Sequence, residues 1–264
     1  MRNCLILFFS ISLLLSCGNG ENSPRINLFS IQDDVNLGSQ MRDQILANSH
    51  EYKVWDRNKH PEAYSVLDSI LAAIIHSNTL HNQEAFNWEL YIIEDPNVQN
   101  AFALPGGFIF VYTGLVKEMK SLDELAGVLA HEIAHVDLRH STQALTRDYG
   151  VSFLLNLIFG EDNELISRVV GSMLSLDYSR DNELEADRKA VDYLCNSNYN
   201  PQGIAEFFSR NIEDDTELDI PEFISTHPNS AHRVEQVQNI LKGKDCSAGA
   251  ESNISFKTIK SYFK

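Results

Sequence analysis

The ten residues HEIAHVDLRH, His131 to His140, hold three of the chain's nine histidines beside Glu132 and Asp137. His131 and His135 are four positions apart. On a helix they share one face, about 40° apart around the axis, and can grip one cation. Glu132 sits about 100° on from His131, within reach of a water on that cation without having to be a ligand. The pattern is H-E-x-x-H, whose chemistry is two zinc ligands plus a general base. Two satisfied core histidines would be the plain alternative. The flanking sequence favours the metal. "SLDE", Ser121 to Glu124, has the form of a capping box, and Leu122, Leu125, Val128, Leu129 and Ile133 follow at helical spacing.

Catalytic zinc usually takes three protein ligands and a water, so a third ligand is required. His140 is nine residues after His131. On a continuous helix it points about 160° away from the midpoint of the pair, and no glycine is present to break the helix. It also misses the longer three-histidine spacing by one residue, so it reads as a cap or an outer contact at the helix end. The better source is "SRDNELEADRKAVDYL", 179 to 194. Glu183 and Asp187 share a helical face, and Glu185 points nearly opposite. One carboxylate can bind the ion while the other accepts from a ligating histidine and fixes its tautomer. Spacing favours Glu183 as the ligand, with a solvated acidic face as the alternative.

These segments need elements to position them. "SIQDDVNLGSQMRDQIL" reads as a helix capped by Ser30, and residues 61 to 77 as a second with Pro61 in its first turn. "NWELYIIE", 87 to 94, and "GFIFVYTG", 107 to 114, read as strands joined by the turn-rich "DPNVQNAFALPGG". Helices are expected over 121–140, 180–195, 201–212 and 230–242. The apolar stretch 151–176 is interrupted by "GEDNE" and reads as a helical hairpin rather than a membrane span. The fold class expected is α+β, mostly helical, with a small sheet near the middle.

At this point the chain resembles a known family, the zinc metalloproteases of the HtpX and CAAX prenyl protease type, which are gluzincins. The pieces that carry the resemblance are "LFSIQDDVNLG", "NAFALPGGFIFVYTGLV", "HEIAHVDLRH", "SRDNELEADR" and "THPNSAHR", in that order over most of the chain. The resemblance implies a zincin-like core. It maps an E-x-x-x-D element onto Glu183 as ligand and Asp187 as its outer partner. It places a histidine at the position of His140 outside the zinc set. It also implies that the His227 loop lies over the cleft, able to bind the ion and hold the resting enzyme shut.

The N-terminus bears on location. Arg2 precedes an apolar run, Leu5 to Leu15, too short to span a membrane and suited to a signal peptide. It ends in "LLSC", which resembles the bacterial lipoprotein signal, with lipid attached at Cys17. Residues 1–16 are then signal, 17–27 a lipidated tether, 28–245 a metalloprotease domain and 246–264 a C-terminal tail. With the lipid signal and no repeat or transmembrane additions, the chain resembles stand-alone periplasmic proteases on the outer membrane. A disulfide between Cys195 and Cys246 is permitted in an exported protein, with two free thiols the alternative. The net charge of −16 argues against nucleic acid as a partner, and against charge-driven adhesion to anionic lipid.

The function expected is a zinc endopeptidase, with one Zn2+ held by His131, His135 and Glu183 and with Glu132 as general base. His227 and Arg233 are candidates for oxyanion stabilisation; for Arg233 a structural salt bridge is an equal expectation. Substrate is expected as an extended strand pairing along Gly107, Phe108, Ile109 and Phe110, after Pro105 and Gly106. That mode suits unfolded polypeptides, and the resemblance implies misassembled outer-membrane proteins as clients. Two rivals stand beside this reading. One is an envelope chaperone or scaffold holding clients in the same cleft. The other is a closed structural zinc site, which gives Glu132 no job.

Overall fold

The computed structural model describes residues 26–160, 162–213, 222–227, 231–246 and 255–264. The signal-like run, Cys17, most of its tether and residues 228–230 lie outside the described residues.

Helix α1, Ile31–Ala47, starts where Ser30 and Asp33 form a reciprocal capping box. α2, Pro61–Ile75, carries Pro61 in its first turn, where a missing N–H costs nothing. Strands β1, Glu89–Ile93, β2, Ala101–Leu104, and β3, Phe108–Tyr112, form one sheet in the order β1-β3-β2. β1 runs parallel to β3, with Glu89 opposite Phe108, and β2 runs antiparallel, with Phe102 opposite Phe110. The β2–β3 turn needs Gly106 and Gly107, at φ of 77° and 105°, where a side chain would be strained. The connection between the expected strands therefore contains a third strand. "AFAL" is buried on both faces and shows no alternation to mark it.

β3 is consequently the centre of the sheet. Its backbone pairs on both sides, so Gly107, Phe108, Ile109 and Phe110 offer no free edge to a substrate strand. This corrects the expectation that substrate pairs there.

After β3 come α3, Thr113–Glu118, and α4, Leu122–Asp137, which is buried from Glu124 to its end. Ser121 caps α4 by accepting from Glu124 N at 3.1 Å. The reciprocal bond is displaced: Glu124 Oε2 accepts from Lys120 N at 2.8 Å and pairs with Arg210. α5, His140–Asp148, follows at once, then α6, Val151–Phe159, and α7, Asn163–Leu174. The last two form the expected hairpin, packed against α5 and α1. Among the described residues no helix is long and apolar enough to cross a membrane.

α8, Arg180–Cys195, packs along α4 more extensively than any other pair of elements, and α9, Gly203–Glu213, packs on α4 as well. A Cβ on Gly127 would stand 2.6 Å from Ile204 N, so glycine permits this approach of α9. α10, Glu222–Thr226, α11, Ala231–Lys242, and α12, Phe256–Ser261, complete the chain. Cys195 and Cys246 form a disulfide that ties the end of α8 to the chain after α11.

The tail does not separate from the domain. Ile259 and Phe263 are buried in the main core, and the Phe263 ring lies 6.3 Å from that of Trp55. The boundary expected at residue 245 is not where the packing ends.

Candidate metal centre

α4 and α8 cross so that their buried faces share a polar island in an apolar core. His131, Glu132 and His135 come from α4, and Glu183 and Asp187 from α8; all are 2% exposed or less. His131 Nε2 lies 3.0 Å from His135 Nε2 and 3.3 Å from Glu183 Oε2. His135 Nε2 is 3.4 Å from Glu183 Oε1. His227, just past α10, adds a fourth atom: its Nδ1 is 3.2 Å from His131 Nε2 and 3.1 Å from Glu183 Oε1. One ligand atom from each of these four side chains lies within 4.8 Å of the other three.

The donor chemistry fits a cation. His131 Nδ1 is 2.9 Å from Asp187 Oδ1, so its proton belongs on Nδ1 and its Nε2 presents a lone pair. That lone pair faces other lone pairs and a carboxylate, an arrangement stable only around positive charge. Tetrahedral ligands at zinc bond lengths stand about 3.3 Å apart, close to the separations here.

Burial works against ionising Glu183, yet the nearby His227 and His131 outweigh it and hold its carboxyl well below the usual range. Asp187 is likewise lowered: burial opposes its charge, and the Arg233 guanidinium wins. Glu132 goes the other way, pushed up to about 7 chiefly by burial. Its Oε1 is buried without a hydrogen-bond partner, 3.3 Å from His227 Nε2. A carboxylate poised near neutrality beside the cluster is what a general base needs.

Arg233 directs Nε and Nη2 to the two oxygens of Asp187, each at 2.7 Å, and Nη1 to Glu183 Oε2 at 2.7 Å. Its guanidinium carbon also lies over the Phe208 ring, 4.3 Å from the centroid. This geometry makes Arg233 the holder of the two carboxylates rather than a donor aimed at a reacting carbonyl. Of its two expected roles, the arrangement matches the structural one.

His140 lies outside the tetrad, as expected of an outer contact at the helix end, but the helix is not continuous and does not point it away from the pair. α4 ends at Asp137, and Arg139 takes the left-handed conformation, φ 61° and ψ 32°, so α5 begins in a new direction. This costs a non-glycine residue roughly 1–2 kcal/mol. The Arg139 guanidinium is held by Asp34, at 2.6 and 3.0 Å, and by Phe29 O at 2.6 Å. His140 is thereby turned back onto His135, with their Nδ1 atoms 3.0 Å apart. Tyr178, which no sequence pattern singled out, stacks on His135 at 3.9 Å and bonds to Ser141 Oγ at 2.8 Å.

Comparison with known proteins agrees with this geometry. The family model for peptidase family M48 matches residues 61–241. The chain belongs to peptidase family M48. The match spans both site helices and most of α11. Among curated proteins, M48 relatives include the mitochondrial metalloendopeptidase OMA1 of Schizosaccharomyces pombe, 34% identical over 58% of this chain and 47% of its own. A putative beta-barrel assembly-enhancing protease of Vibrio cholerae is 30% identical over 54% of this chain and 32% of its own. Metalloprotease YcaL of Escherichia coli is 30% identical over 62% of this chain and 65% of its own. The chain thus spans less than two thirds of the length of each of these M48 relatives.

Proposed function

We propose that the chain is a zinc-dependent endopeptidase that cuts unfolded or misassembled polypeptides at the bacterial cell envelope. The observation that carries this is the convergence of His131, His135 and Glu183 beside an unbonded Glu132 oxygen, on two helices inside an M48 match. When bound there, zinc supplies a Lewis acid for the scissile carbonyl and for the attacking water. Glu132 takes the proton of that water and passes it to the leaving amine. Asp187 holds His131 in its tautomer, and Arg233 keeps both carboxylates in place.

His227 completes the tetrad at rest, with Nε2 turned to the base. In this reading it closes the site. Phe223 N donates to Gln99 O at 3.1 Å, which lays the 222–227 segment against the start of β2. Opening that segment would expose the outer edge of β2. Tyr112 N bonds to Asn100 O, so the ladder turns the backbone groups of Ala101 and Ala103 outward. An extended substrate can pair there, independently of its side chains.

Envelope location rests on the lipoprotein-like "LLSC" sequence, on the Cys195–Cys246 disulfide and on the bacterial relatives. A lipid on Cys17 would tether the domain to a membrane, and the name of the Vibrio relative favours β-barrel proteins as clients.

The test uses the purified chain and unfolded casein. Chelator-sensitive cleavage that Glu132→Gln abolishes, with zinc still bound, supports the proposal. Equal cleavage by Glu132→Gln rejects it. Client capture that survives Glu132→Gln with cellular function intact would favour the chaperone reading.

A further inference from the structure

Only Nε2 of His135 belongs to the tetrad; its Nδ1 lies 3.0 Å from Nδ1 of His140. Two imidazole nitrogens this close need one proton between them. A ligating Nε2 must present its lone pair, so neutral His135 carries its proton on Nδ1 and donates it. His140 Nδ1 is then the acceptor, and the proton of His140 sits on Nε2. That nitrogen stands 3.5 Å from Glu185 Oε2. One assignment of protons suits the whole row, and it ends at ion-pair distance from the half-buried Glu185 carboxylate.

The row is built, not incidental. His140 is 1% exposed and comes into line only because Arg139 is left-handed and clamped by Asp34. Tyr178 stacks on the His135 ring, with centroids 3.9 Å apart and planes 26° from parallel. His131 is oriented differently, by direct contact with Asp187. From this geometry we infer that His140 and Glu185 are positioning residues of the metal centre, fixing the tautomer and ring angle of His135 through a carboxylate–imidazole–imidazole row. The inference rests on the proposed metal reading and adds two residues to it.

The test measures metal affinity of the full chain by competition with a chromophoric chelator, using zinc, together with the visible spectrum of the cobalt(II) form. His140→Phe keeps a ring but removes the acceptor. It is expected to lose about 10- to 100-fold in zinc affinity and to change the cobalt spectrum. His140→Asn can place an acceptor oxygen near the lost Nδ1 and is expected to recover most of that affinity. Glu185→Ala is expected to weaken zinc binding several-fold. Melting of the chelated forms reports folding separately. Native affinity in His140→Phe, or His140→Asn as weak as His140→Phe, overturns the inference. Should His140→Phe not fold, Glu185→Ala decides, and native affinity with an unchanged cobalt spectrum overturns it. If the native chain binds neither metal, the metal reading falls and takes this one with it. Native binding that no substitution alters removes this inference alone.

Discussion

His131 Nδ1 and Asp187 Oδ1 lie 2.9 Å apart, and that same oxygen is 2.7 Å from Arg233 Nη2. One buried carboxylate thus joins the metal helix α4 to α8 and, through Arg233, to α11. Removing one partner strands the other charge in an apolar surround. Arg233→Met is therefore expected to cost about 3–5 kcal/mol in urea unfolding of the chelated protein. Replacing both, as Asp187→Leu with Arg233→Met, is expected to recover a large part of that. A loss under about 1 kcal/mol for the single change would show that the pair does not hold the helices.

Glu132 has a folded pKa of about 7 because burial disfavours its charge. An unfolded glutamate titrates near 4.5. The folded form binds the proton more tightly, so stability is full below the unfolded value and declines as pH rises towards 7. The whole shift corresponds to about 3 kcal/mol. In chelated protein, Glu132→Gln is expected to be more stable than the native chain at pH 8 and equal to it near pH 4. Thermal melts across that window check the sign; an advantage that grows towards acid would contradict it.

His227 sits among the ligand atoms with its other nitrogen on the base. As a gate, it should inhibit. His227→Ala is expected to raise cleavage of a short unstructured peptide several-fold without loss of zinc. If His227 instead supplied an oxyanion donor, the same change would lower kcat about 10²- to 10³-fold. Steady-state kinetics on one peptide separates the two by sign.

The site was legible where its residues obey one helical period. His131 with His135, and Glu183 with Asp187, are each i,i+4 pairs on helices the structure confirms. Glu132 followed from its place beside the first pair. His140 was legible as an outer contact at the helix end but not in its direction, because its turn onto His135 depends on a left-handed arginine held by Asp34, 105 residues away in sequence. The substrate edge failed for a related reason. Which strand lies at the border is a property of sheet order, and four buried residues gave β2 no alternating pattern. The packing of Phe263 near Trp55 is likewise a long-range contact that no local pattern announces.

The Cys195–Cys246 disulfide closes 51 residues that include His227 and Arg233. A loop of that size is worth about 4 kcal/mol in the chain-entropy account. Cys195→Ser with Cys246→Ser is expected to lower the melting temperature while leaving zinc stoichiometry unchanged. An unchanged melting temperature would mean the bridge adds nothing to the fold.

Chelation gives a further check on the kind of site. Buried apolar side chains of α4 and α8, apart from the tetrad, join the main core with those of α2, β1, β3 and α9. Removal of metal is expected to lower the melting temperature but to leave far-ultraviolet circular dichroism in place. Collapse of the helical signal would point to a structural zinc site.

The most direct measurement is zinc content and affinity in Glu183→Ala beside the native chain and Glu132→Gln. The native chain and Glu132→Gln are expected to carry one zinc each, and Glu183→Ala, still folded, to lose it to a chelator that the other two resist. Full zinc retention by Glu183→Ala at native affinity would contradict a centre in which α8 supplies the third ligand.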